Sequence, residues 1–302
     1  MNTIPNAENC PVILQPTGLC VASNDGIDIN GLFRFGCGYP RLAKDGRHAW
    51  VLDLYQRKAI VSGKALACDV PAIPDGDSVV RVKGRMIDGE AGPFIWVREL
   101  LTEPVIGTDV CALDLVTPSW VVNQDVADRL CEIWAGLAPP YRELINAVME
   151  DPAVLQGFLK APGSIRHHDA VSGGCAEHSL KVARMAIAIA DLTPAINRDM
   201  LITGAILHDI GKCIEYRENN HGRWSMSRFG KRVGHKVGGA LLVSAAAKRC
   251  NILQPEQVED VLHMLTSSFA PTWAGYRVPA TREALALSAI DRLCGAKATS
   301  HQ

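Results

Sequence analysis

Four side chains in the C-terminal half have the types and spacing for metal chemistry: His178, the adjacent pair His208-Asp209, and Asp291. The pair ends the apolar run LITGAIL and is followed by Ile210-Gly211-Lys212, so two ligand-type groups fall at a helix end where the backbone can turn away. Burying an imidazole and a carboxylate there without partners is costly. A divalent cation held by both removes that cost, with His178 and Asp291 reaching in from two other helices. Mixed imidazole and carboxylate donors suit Mn²⁺, Mg²⁺, Co²⁺, Ni²⁺ or Fe. Such an ion lowers the pKa of a water and polarises a phosphate oxygen, so the expected chemistry is hydrolysis of a phosphate ester.

His178, then His208-Asp209, then Asp291 resembles the ligand order of the HD-domain metal-dependent phosphohydrolase superfamily. Longer strings are similar to the YhaM-type 3′→5′ exoribonucleases. These are Phe158-Leu159-Lys160-Ala161-Pro162, His167-His168-Asp169-Ala170, Gly173-Gly174, Glu177-His178-Ser179-Leu180, Leu207-His208-Asp209-Ile210-Gly211-Lys212, Gly234-His235, Leu262-His263-Met264-Leu265 and Ala289-Ile290-Asp291. The resemblance is strong from about 155 to 295 and weak before 100. It implies an α+β chain, with an N-terminal OB-like β-barrel followed by an all-α HD domain. It also implies metal ligation by His178, His208, Asp209 and Asp291, and a catalytic set of His208, Asp209, Lys212 and His235. Lys212, one helical turn past His208, is expected to reach the phosphoryl group, while Glu177 and His167-His168 orient ligands or contact substrate. One departure stands out. Where the family has Ser-His-His-Gly for a second metal, this chain reads Ser267-Ser268-Phe269-Ala270, so one cation per chain is expected.

These residues need a helical scaffold, and the periodicity supplies one. From Asn123 onward, QDVADRLCEIWAGL, PPYRELINAVME, CAEHSLKVARMAIAIADL, RDMLITGAILHDIG, GHKVGGALLVSAAAKRC, PEQVEDVLHMLTSS and TREALALSAIDRLCGA show apolar spacing at three and four residues. Pro139-Pro140, Pro255, and Thr281 with Glu283 mark helix starts. Residues 11–106 differ: short runs such as VILQPTG, AWVLDLYQ and DSVVRVKGRMID are punctuated by Asp-Gly and glycine turns. Alternation puts Val80, Val82 and Met86 on one face and Arg81, Lys83 and Arg85 on the other. Five or six such strands suggest a small barrel or sandwich, which the resemblance narrows to an OB-like module. Residues 107–122 read as a linker, and 123–302 as the helical HD domain.

The chain has 302 residues and a net charge of −1, which excludes a uniformly basic nucleic-acid coat. The charge is uneven: −2 over residues 1–110, −5 over 111–159 and +6 over 160–302. Arg217, Arg223, Arg228, Lys231, Arg232 and Lys236 cluster against Glu218 alone, as a solvated loop or a phosphate-attracting rim. In the β half, Phe33, Phe35, Tyr39, Trp50, Tyr55, Phe94 and Trp96 interleave with Arg34, Arg57, Lys58, Arg81, Lys83 and Arg98. Aromatics among cations are either barrel core or stacking surfaces for a single strand. Substrate-contacting residues are expected at Arg81, Lys83, Arg228 and Lys231, along with His167 and His168. Ten scattered cysteines with no Cys-x-x-Cys pair argue against a zinc knuckle and are expected reduced and mostly buried. With no signal segment or membrane-length apolar run in view, a cytoplasmic protein is expected.

The leading expectation is a 3′→5′ exonuclease on single-stranded RNA, with DNA kept open as a substrate. Two alternatives are an HD-type nucleotide phosphohydrolase and a relaxase-type DNA-binding protein of a mobile element with weak or no hydrolysis. The expected partner is a single-stranded nucleic acid or nucleotide, with no membrane; a homo-oligomer stays open.

Overall fold

The computed structural model describes residues 21–23, 26–165, 171–269 and 275–295. The chain divides into two compact units, with the boundary between Val121 and Val122.

The first unit is a closed β-barrel. Its strands are β1 (Val21–Ser23), β2 (Gly26–Leu42), β3 (His48–Gln56), β4 (Ala59–Leu66), β5 (Val79–Gly89) and β6 (Gly92–Thr102). The long β2 is shared between two neighbours. Ile27 to Arg34 pair with β5 and Arg34 to Leu42 with β3, and a bulge between Phe35 and Gly38 bends the strand around the barrel. β2, β3 and β4 form a meander, β4 pairs in parallel with β6, and β6 pairs antiparallel with β5, which closes on β2. β2 to β6 make the closed five-strand OB-like barrel, as expected, and the short β1 adds to β2. Val80, Val82 and Met86 do point into the core, where they meet Phe33, Phe35 and Leu54. Gly84 is required where β5 and β6 bulge: a Cβ there would lie 2.3 Å from the Trp96 carbonyl oxygen. VILQPTG lies outside the described residues.

Residues 107–121 are not a free linker. They carry two single-turn 3₁₀ helices (Ala112–Asp114 and Pro118–Trp120) and a run of buried apolar residues from Val110 to Val116. Two arginines read as surface cations are buried and tie this segment to the barrel. Arg34 Nε donates to Leu115 O at 2.8 Å, and Arg57 forms an ion pair with Asp114 at 2.6 Å. Their charge is used internally because the barrel wall must satisfy the carbonyls of the segment folded onto it.

The second unit contains ten helices among the described residues: α1 (Gln124–Ala135), α2 (Pro139–Met149), α3 (Pro152–Lys160), α4 (Gly174–Leu192), α5 (Arg198–Leu207), α6 (Lys212–Glu215), α7 (Arg228–Arg232), α8 (His235–Cys250), α9 (Pro255–Thr266) and α10 (Arg282–Gly295). Asn123, Asp151 and Asn197 cap α1, α3 and α5 by accepting backbone N–H groups, and a Gln254–Gln257 capping box opens α9. α4 packs on α5, and α10 lies against both. The basic stretch after Glu215 contains a small hairpin, β7 (Tyr216–Glu218) and β8 (Trp224–Met226), then the short α7. No helix among the described residues is long and apolar enough to cross a membrane. The eight described cysteines are free thiols. Only Cys111 and Cys175 are fully buried, five are half-buried and Cys68 is exposed, because most sit at element edges.

Candidate metal centre

Helix α5 is buried along Met200–Leu207, so its C-terminal end delivers His208 and Asp209 into the interior. The turn that follows is held tightly. Gly211 approaches the first turn of α8 so closely that a Cβ would lie 2.0 Å from the His235 carbonyl oxygen and 2.5 Å from the Gly239 nitrogen. That approach brings His235 beside Asp209. α4 opens after Gly173, whose φ of +82° suits glycine, and presents His178; α10 presents Asp291.

Three of the four expected ligands, His178, His208 and Asp291, come together, with Asp209 beside them. His178 Nε2 lies 3.0 Å from Asp291 Oδ1 and 3.8 Å from Asp209 Oδ2. His208 Nε2 lies 3.3 Å from Asp209 Oδ2 and 3.6 Å from Asp291 Oδ1. Donor atoms of His178, His208 and Asp291 all fall within 4.8 Å of one another. Ligands about 2.1 Å from one ion sit roughly 3–3.5 Å apart, so this spacing fits a shared cation. The tautomer fits as well. His208 Nδ1 lies 2.8 Å from Ala205 O, which can only accept, so Nδ1 carries the proton and Nε2 faces the carboxylates. Among the described residues, buried His208 Nε2 has these two carboxylates near it and no well-aligned hydrogen bond.

The electrostatics say the same thing. Burial opposes a charge on His208, but Asp209 and Asp291 overcome it and push its pKa up to about 10. Burial works against both carboxylates too, yet His208 and Lys212 hold Asp209 well below the usual range, and His178 and His208 do so for Asp291. A buried cluster that calls this strongly for positive charge suits a divalent cation, so the donor set fits one.

Lys212 is placed differently from the expectation. It is 7% exposed and donates to Asp209 Oδ2 at 2.5 Å and to the Gly163 carbonyl, so its ammonium is engaged within the protein. Its charge fixes Asp209. His235 has Nε2 3.6 Å from Asp209 Oδ1, while its Nδ1 is 3.0 Å from Glu215 Oε2. Glu215 is a partner that the sequence reading missed; it ends α6, three residues after Lys212. Glu177 pairs with Lys181 at 3.3 Å rather than orienting a ligand. Ser268 and Phe269 line a cavity with His208 and Asp291. His263 accepts from Ala280 N at 2.9 Å and faces another cleft. His167 and His168 lie outside the described residues.

The expected substrate-contacting cations divide. Arg228 and Lys231 are exposed on α7. On the barrel, Arg81 pairs with Glu103 and reaches Asn30, and Lys83 is 2.9 Å from Glu99. Cross-strand carboxylates therefore already neutralise both. A different barrel surface carries unabsorbed chemistry. A cleft of about 770 Å³ lies between the β2–β3 loop at Lys44 and the β5–β6 turn, floored by Ser62, Lys64 and Phe94. Lys64 Nζ sits 3.7 Å from the Phe94 ring centre, and Asp88 and Glu90 share the cleft. Phe33 and Phe35 are core, whereas Tyr39 is exposed.

Comparison with known proteins agrees with this geometry. The family model described as HD domain matches residues 175–296. A protein named 3′-5′ exoribonuclease YhaM from Listeria monocytogenes is 34% identical over 188 residues, covering 60% of this chain and 57% of the relative. One of the same name from Geobacillus sp. is 28% identical over 189 residues, 62% of this chain and 57% of the relative. Another from Shouchella clausii is 30% identical over 218 residues, 72% of this chain and 66% of the relative. The aligned part is thus less than two thirds of each relative's length. The segment that matches the HD-domain model holds His178, His208, Asp209 and Asp291.

Proposed function

We propose that this chain is a metal-dependent 3′→5′ exonuclease acting on single-stranded RNA. One observation carries the reading: donor atoms of His178, His208 and Asp291, from α4, the end of α5 and α10, all lie within 4.8 Å of one another, and Asp209 Oδ2 lies 3.3 Å from His208 Nε2. The printed names of the relatives supply the substrate class. His178, His208, Asp209 and Asp291 would hold one divalent cation, of the Mn²⁺, Mg²⁺, Co²⁺, Ni²⁺ or Fe class. When bound, such an ion supplies a Lewis acid that polarises a phosphate and lowers the pKa of an attacking water.

The remaining work belongs to the chain's own side chains. Lys212 keeps Asp209 ionised and in one rotamer. Glu215 accepts from His235 Nδ1, which leaves His235 Nε2 turned toward Asp209 Oδ1. His235 is about one third exposed, so it takes or returns a proton at Nε2 while Glu215 stabilises the imidazolium. Arg228 and Lys231 attract the strand, and on the barrel Phe94 with Lys64 offers a stacking surface. Asp88 and Glu90 beside that surface keep its electrostatic pull small.

The test is a divalent-metal screen with a labelled single strand, a duplex and free nucleotides. The reading predicts stepwise shortening of the single strand from its 3′ end, dependent on an added cation. Hydrolysis of free nucleotides with the strand untouched would replace it with a nucleotidase.

A further inference from the structure

A cavity of about 310 Å³ opens beside the metal centre, with His208 and Asp291 in its wall. That volume is at the low end for small-ligand sites, so the cavity suits one nucleotide-sized group rather than a strand. Two cations face it. Lys236, which follows His235 on α8, donates to Leu265 O at 3.4 Å and Ser267 O at 3.3 Å, at the end of α9. Both acceptors are neutral carbonyls and an ammonium has three donors, so one N–H of Lys236 has no partner among the described residues. Arg292 follows Asp291 on α10 and is exposed. Neither cation is in an ion pair among the described residues. Ser267, 4% exposed, is also part of the cavity wall. Phe269 completes the wall with a half-exposed ring.

We propose that this cavity is the subsite for the terminal nucleotide. Lys236 and Arg292 hold its phosphate and Phe269 stacks on its base. Two cations outside any ion pair among the described residues match a phosphate's charge and its several acceptor oxygens. An aromatic ring at the same cavity selects a nucleotide over a bare anion. The assignment rests on the nuclease reading, because His208 and Asp291 in the wall set the bound phosphate beside the hydrolytic centre.

The experiment measures binding of AMP, adenosine and inorganic phosphate to the full chain by calorimetry, with Mn²⁺ and again with EDTA. Lys236→Gln and Arg292→Gln should each weaken AMP and phosphate about tenfold, as expected for losing one charge-assisted contact, and leave adenosine unchanged. Lys236→Arg should retain most of the binding. Phe269→Ala should weaken AMP and adenosine but not phosphate. Arg292 is exposed, so its variant carries the test if Lys236→Gln fails to fold. RNA shortening is followed in parallel. A wild-type chain that degrades RNA while both charge variants bind AMP normally overturns the subsite alone. Loss of AMP binding in the variants of a chain that degrades no RNA with any cation overturns the nuclease reading and keeps the subsite.

Discussion

Asp209 turns one oxygen toward His178, His208 and Lys212 and the other toward His235, so this carboxylate links four of the groups at the centre. Asp209→Ala and His208→Ala should each abolish metal uptake, read as bound metal per chain after dialysis, while far-ultraviolet circular dichroism stays helical. Full metal occupancy in Asp209→Ala would remove the basis of the site. Lys212→Met is the sharper probe, because it strands a buried carboxylate. Breaking such a pair costs about 3–5 kcal/mol, so denaturant unfolding in EDTA should shift by that order, and saturating Mn²⁺ should restore part of it. The four ligands were legible as a pattern of residue types. The direction of Lys212 was not, because spacing along a helix gives reach but not burial. Glu215 carried no signal beyond being an acid near a lysine, and Lys236 none beyond following His235. One cation per chain is expected. Ser268→His with Phe269→His should raise the stoichiometry only when Lys236→Gln also removes the ammonium beside them, since a fixed charge repels a second ion. Two tightly held metals in the unmodified chain would contradict this.

Helices position these groups through one close approach. Gly211 lets the turn after α5 touch the start of α8, and a methyl there would meet backbone atoms, which cannot rotate away. Gly211→Ala should therefore destabilise the protein by at least the roughly 1–3 kcal/mol of ordinary overpacking, and should weaken metal binding by pushing His235 from Asp209. A thermal midpoint equal to the parent's would show that the two segments can separate freely. The longer helices of the second unit followed from apolar spacing and their caps. α3 was missed because nine residues with Gly157 inside give too short a periodic window. The β7–β8 hairpin was missed because three-residue strands of mixed polarity show no alternation. Residues 107–121 read as a connection because their apolar run, Val110 to Val116, has neither helical nor strand period; buried arginines, invisible as such in sequence, hold it on the barrel.

Over the whole molecule, charge and chemistry are divided between the units. The proposed metal ligands lie in the helical unit, whose residues 122–302 carry a net charge of +2, against −3 for residues 1–121. The barrel therefore has little to offer by counterion release, and its contribution must come from stacking and shape, as at Phe94. A protein of residues 122–302 keeps its own apolar core in α2, α4 and α5, so it should fold alone and take up one cation. It should cleave a short model phosphodiester at the full chain's rate. On long RNA it should lose the preference, because stacking contributes about 1–3 kcal/mol per base and one lost platform is worth roughly tenfold or more in kcat/KM. The salt dependence separates the two terms. If the cations of the helical unit supply the electrostatic pull, the slope of log(kcat/KM) against log[salt] should be nearly the same with and without the barrel, while the absolute rate on long RNA falls. An unchanged ratio of long to short substrate in the truncated protein would show that the barrel does not read the strand; a much shallower salt slope would show that it supplies charge after all.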